Sequence, residues 1–138
     1  MDKKLNLALV GFGSFGKIYY KTIKKNKKFF LKAIFRKRKI RNSKFKLLSK
    51  KSLKENNIEA AVVCTPVKTH FPISKFLIEN KIPLILEKPA ANKLSEIKKL
   101  IQISSKHKAV VFVNHSDLYN ENFHFLISKK KTHWKNKI

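Results

Sequence analysis

The chain holds a single cysteine, Cys64, so no internal disulfide can form and the expected setting is a reducing cytoplasm. Histidine and cysteine never gather at metal-ligand spacing, which speaks against a zinc site. No stretch of 18 apolar residues occurs, so neither a transmembrane helix nor a membrane partner is expected. Met1 to Leu5 leads straight into an apolar run and leaves no room for a signal peptide. Glycine is also scarce. There are 3, and Gly11, Gly13 and Gly16 fall within one turn.

Acidic residues are scarce too: 8 against 33 basic residues in a chain of 138, for a formal net charge of +25. Such a balance implies salt-dependent, non-specific binding to polyanions. Arg36, Arg38 and Arg41 are the only arginines; the other basic residues are lysine. An evolved phosphate-binding surface favours arginine, whose fork matches phosphate geometry. Lysine, asparagine, isoleucine and phenylalanine share codons rich in A and T, so base composition alone can load a solvated face with lysine. A basic binding protein acting on nucleic acid is therefore the alternative function, not the main one.

What is present is organised around the glycines. Leu5–Val10 reads as a buried strand, Gly11-Phe12-Gly13-Ser14-Phe15-Gly16 as G-x-G-x-x-G, and Lys17 to Asn26 as a helix. Strand, glycine turn and helix in that order give the motif its dinucleotide-binding meaning. Gly11 permits the tight turn, Gly13 lets a pyrophosphate approach the backbone, and Gly16 lets the helix pack against the strand. The N–H groups at the helix start, around Ser14 and Phe15, hold the phosphates.

Further strands are expected at Phe29–Phe35, Ala60–Thr65, Pro83–Leu86 and Ala109–Val113, short and rich in Val, Ile and Leu. Amphipathic helices alternate with them. In the first, Phe15, Ile18, Tyr19 and Ile23 form the inward stripe. A short helix at Ser43–Lys51 or Ser52–Asn57 comes next. Another spans Pro72 to Asn80, with Ile73, Phe76 and Leu77 inward. A fourth is capped by Ser95, with Ile97, Leu100 and Ile101 inward. A last helix from Asp117 to Lys130 would bury Leu118, Phe125 and Leu126. The alternation predicts an α/β fold: a doubly wound, mainly parallel Rossmann sheet with helices on both faces. Residues 1–130 form this domain and 131–138 a basic C-terminal tail.

Each strand end offers candidates for a ligand crevice. About 20 residues beyond the glycines, NAD-binding domains place an acid for the ribose hydroxyls. This chain has Arg36 there, followed by Lys37 and Arg38, which suits a 2′-phosphate and predicts NADP over NAD. After the third strand, Thr65 and Pro66 wall the cofactor, and His70 either faces the dinucleotide or caps and packs. Cys64 reads as a small filler. After the fourth, Glu87 orients its neighbour or meets the nicotinamide ribose. Lys88, held by Pro89, is the candidate catalytic proton donor. Asn114 and His115 point to the same crevice from the fifth strand.

Taken together, G-F-G-S-F-G, T-P-V-K-T-H at Thr65–His70, E-K-P at Glu87–Pro89 and H-S-D-L-Y-N at His115–Asn120 resemble the glucose–fructose oxidoreductase/inositol dehydrogenase (Gfo/Idh/MocA) family. The resemblance implies NAD(P)-dependent hydride transfer on sugars, cyclitols or related compounds. It also implies that Lys88 lies at the catalytic crevice and that Lys88–Pro89 is a cis peptide. Family members add a second α/β domain that supplies most of the substrate pocket and the oligomer interface. Glu121 departs from the proline that many relatives carry. The expectation is a truncated, catalytically incomplete dinucleotide-binding half, completed by homo-oligomerisation or by a separate catalytic-domain chain.

Overall fold

The computed structural model describes residues 3–36, 45–46, 48–122, 124–125 and 127–128. Six strands run in chain order: β1 (Leu5–Val10), β2 (Phe29–Phe35), β3 (Phe45–Lys46), β4 (Ala60–Val63), β5 (Leu84–Glu87) and β6 (Val111–Asn114). Among the described residues four helices join them: α1 (Ser14–Lys25), α2 (Lys50–Glu55), α3 (His70–Glu79) and α4 (Leu94–His107). The sheet order is β3-β2-β1-β4-β5-β6, and every pairing is parallel. This is the doubly wound Rossmann order, and its direction reverses between β1 and β4.

Alternation along β1 sorts the core into two layers. Ala8 and Val10 face a cluster with Leu53 of α2, Leu77 and Ile78 of α3, and Leu100 and Ile103 of α4. Leu7 and Leu9 face a smaller cluster with Ile23 of α1, Ile34 and Val62. Helices therefore cover both faces, as parallel strands require. In β2 the register slips once: Leu7 pairs with Leu31 but Ala8 pairs with Ala33, so Lys32 is stepped over.

Several sequence expectations need correction. Of the α1 stripe, Ile23 is buried and Tyr19 half-buried, but Phe15 is 57% exposed and Ile18 is exposed as well. Gly16, not Phe15, is the buried residue of the first turn, so its missing side chain sets the helix's approach. In α4, Leu100 and Ile103 are buried while Ile101 is exposed. That helix starts one residue before Ser95. Its first turn is closed by the Lys93 backbone N–H donating to the Glu96 carboxylate at 3.3 Å. The helix α2 is capped by Ser49, whose hydroxyl accepts from the Ser52 N–H at 3.1 Å. Beyond β6, Ser116–Tyr119 form one 3-10 turn and the described residues between 121 and 128 are helical. Leu118 and Phe125 are exposed there, because no described element packs over them. Leu126 and the tail at 131–138 lie outside the described residues.

Candidate functional site

The glycine turn leaves the carboxyl end of β1. Gly11 has φ +101°, and a β-carbon there would stand 2.7 Å from the Cys64 carbonyl oxygen. Its N–H donates to the carbonyl of Phe35 at 3.0 Å, tying the turn to the end of β2. A β-carbon on Gly16 would meet the Gly11 carbonyl oxygen at 2.6 Å. Gly13 differs from both. Its φ of −80° suits any residue, and among the described residues no atom beyond its own chain neighbours lies within 4 Å of where a β-carbon would stand. The protein's own packing thus explains two glycines and leaves the third as a cradle open to a ligand.

The helix start beside that cradle is bare. The first intrahelical bond runs from Lys17 N–H to Gly13 O at 3.0 Å, so the N–H groups of Ser14, Phe15 and Gly16 precede it. No side chain caps this end, and the first turn holds no acid. Unused donors at the positive end of a helix fit a pyrophosphate. Arg36 follows Phe35 directly and is exposed, beside the strand end that anchors the turn. Lys37 and Arg38 lie outside the described residues.

Across the sheet, Thr65 and Pro66 continue past β4. The Thr69 hydroxyl donates to the Pro66 carbonyl at 2.7 Å and lies 2.8 Å from the Thr65 hydroxyl. His70 is 1% exposed, with Nδ1 2.8 Å from the Pro89 carbonyl oxygen and Nε2 2.7 Å from that of Thr65. The buried ring therefore braces the Thr65 loop against the Lys88–Pro89 turn. The Lys88–Pro89 peptide is cis. Cys64 directs its thiol at the carbonyls of Val10 and Gly11, at 3.5 and 3.4 Å. Burial, helped by the Glu87 charge, pushes the thiol up to about 12, so it fills space as a neutral group.

Glu87 and Asn114 are register partners at the ends of β5 and β6. Tyr19 reaches them from α1, donating to Glu87 Oε1 at 2.5 Å. The Asn114 amide donates to the same oxygen at 2.7 Å and to the Tyr19 hydroxyl at 2.8 Å. Sequence reasoning treated Tyr19 as core alone. The available signal was its hydroxyl, which needs a partner wherever the ring is half-buried. Lys88 is exposed where the chain leaves β5, and His115 is exposed beyond β6. Among the described residues, no three of histidine, cysteine, aspartate and glutamate gather closely enough to hold a metal ion. No described helix is long and apolar enough to cross a membrane.

The family model for the oxidoreductase family with an NAD-binding Rossmann fold, GFO/IDH/MocA, matches residues 5–115. No curated protein matches by sequence. Among solved structures, GenD2 of gentamicin A biosynthesis, in complex with NAD, superposes with a TM-score of 0.74 at 20% identity over 83% of this chain. D-galactose-1-dehydrogenase from Rhizobium etli gives 0.75 at 23% identity over 88% of this chain. An oxidoreductase from Bacillus cereus gives 0.70 at 20% over 83%. The chain spans 35%, 40% and 35% of the lengths of those three.

Proposed function

The chain belongs to the Gfo/Idh/MocA oxidoreductase family, and on that premise we propose that it binds NADP in preference to NAD and serves hydride transfer on a sugar, cyclitol or related substrate. The observation that carries the cofactor reading is Gly13, an open position beside uncapped N–H groups that no packing among the described residues accounts for. A nicotinamide dinucleotide supplies a carbon that accepts or donates hydride. Gly11 shapes the turn, and Ser14, Phe15 and Gly16 present N–H groups to the phosphates. Arg36, with Lys37 and Arg38, meets the 2′-phosphate. Thr65 and Pro66 wall the nicotinamide side, with His70 supporting them. Lys88 stands where a proton can pass to a substrate oxygen.

Most of the substrate pocket lies outside the described residues, on a domain or second chain that packs against the sheet at β5 and β6. Ile85 and Phe112 support this: they are register partners on the sheet face that α1 covers elsewhere, yet they are 39% and 48% exposed. A cytoplasmic setting suits the cofactor. Salt-sensitive binding to polyanions accompanies the +25 charge whatever the substrate.

The test is a fluorescence titration of the purified chain with NADPH and NADH at low and high salt. Saturable NADPH binding that survives salt is expected. Absence of saturation with both cofactors, on folded protein, removes the reading and leaves polyanion binding as the alternative.

A further inference from the structure

Glu87 is the most buried acid of the described chain, 7% exposed, and it sits between three elements. Its Oε1 accepts from the Tyr19 hydroxyl and the Asn114 amide, and its Oε2 from the Lys88 backbone N–H at 3.3 Å. All three donors are neutral. They orient and solvate the carboxylate without cancelling its charge. Tyr19 keeps its proton, because burial and the neighbouring Glu87 carboxylate raise the phenol well above its ordinary value. A fixed anion in a poorly hydrated place projects its field into the adjoining crevice.

The position of that crevice follows from the sheet. The phosphates belong at the glycine turn, and Arg36 marks the adenosine side at the end of β2. The remaining end of a dinucleotide then extends over the carboxyl ends of β4, β5 and β6, where Glu87 and Asn114 lie. A nicotinamide ring is positively charged when oxidised and neutral when reduced. Only the oxidised form gains from an anion beneath it.

We propose that Glu87, positioned by Tyr19 and Asn114, is a fixed counter-charge for the oxidised nicotinamide ring, so that this site binds the oxidised dinucleotide more tightly than the reduced one. The inference rests on the dinucleotide-binding reading. By linkage, preferring the oxidised form makes the bound cofactor a stronger hydride donor than the free one. The lysine background acts with the opposite sign. A net charge of +25 favours the reduced form, which carries one more negative charge, and salt screens that contribution.

The experiment is calorimetric titration of the whole chain with NADP+ and NADPH, and with NAD+ and NADH, at high salt, for the wild type, Glu87→Gln and Tyr19→Phe. In the wild type the oxidised form should bind more tightly. Glu87→Gln should shrink the oxidised-to-reduced affinity ratio about tenfold, mainly by weakening the oxidised form, and Tyr19→Phe should shrink it by a smaller factor. A wild-type ratio at or below one overturns the proposal without any variant having to fold. An unchanged ratio in folded Glu87→Gln overturns it as well. Failure of the wild type to bind any of the four dinucleotides overturns the underlying cofactor reading together with this one.

Discussion

A β-carbon on Gly16 would stand 2.6 Å from the carbonyl oxygen of Gly11, closer than real contacts allow. The two glycines are therefore one packing unit, in which the helix start rests directly on the backbone of the turn. Gly16→Ala must push α1 away from β1 and β4. We expect a loss of about 2 kcal/mol of stability, read by urea denaturation, before any ligand is considered.

Gly13→Ala should behave in the opposite way. With no described atom beyond its chain neighbours within 4 Å of the new methyl group, stability should change by less than about 0.5 kcal/mol. Dinucleotide affinity should nonetheless fall at least about tenfold, since the methyl group occupies the space a pyrophosphate needs. Equal binding by folded Gly13→Ala and wild type, measured side by side, would contradict the cradle.

Arg36→Asp should exchange a 2′-phosphate partner for a ribose-hydroxyl acceptor. The expected outcome is weaker NADPH binding and stronger NADH binding, with the preference ratio moving by about a hundredfold. The competition is best read at high salt, where the lysine background contributes least.

Stability should decline on the alkaline side. The folded Cys64 thiol is raised to about 12, above its unfolded value, and Tyr19 is raised in the same direction. As pH climbs past the unfolded values the denatured chain releases these protons while the native chain retains them, so the contribution is lost with rising pH. Denaturation midpoints should therefore fall from about pH 9 upward, and Cys64→Ala should flatten part of that slope. At pH 8 the native thiol should alkylate at least about a hundredfold more slowly than in denaturant.

The parts of this fold that could be read in the residues are those where one local demand dominates. Gly11, with its positive φ, marks the turn, and the apolar runs at Leu5–Val10 and Phe29–Phe35 fall where the sheet places them. Helix faces were read less well. Phe15 and Ile101 are apolar and suitably spaced, yet both are exposed, because rotation about a helix axis is decided by the closest approach, at Gly16 in α1. The two-residue strand Phe45–Lys46 carries too little alternation to stand out. From its place after Thr65, His70 could be read either as facing the dinucleotide or as capping and packing. Its role as a brace depends on the Pro89 carbonyl, 19 residues away, which no local pattern reveals. The Tyr19–Glu87–Asn114 contact joins residues 68 and 27 apart for the same reason.

The step over Lys32 has an effect on how β2 can vary. Before it, Leu31 keeps time with Leu7; after it, Ala33 keeps time with Ala8, so the inward beat changes parity at one residue. The strand is in effect two short phrases spliced at a lysine whose ammonium rests 4.7 Å above the Phe30 ring. Deleting Lys32 would not disturb the faces at all; it would remove the one unpaired step, so that Leu31 and Ala33 follow each other in register with Leu7 and Ala8 and the strand alternates without a break. With Lys32 in place, substitution profiles along β2 should break into two alternations that meet there and never merge into one.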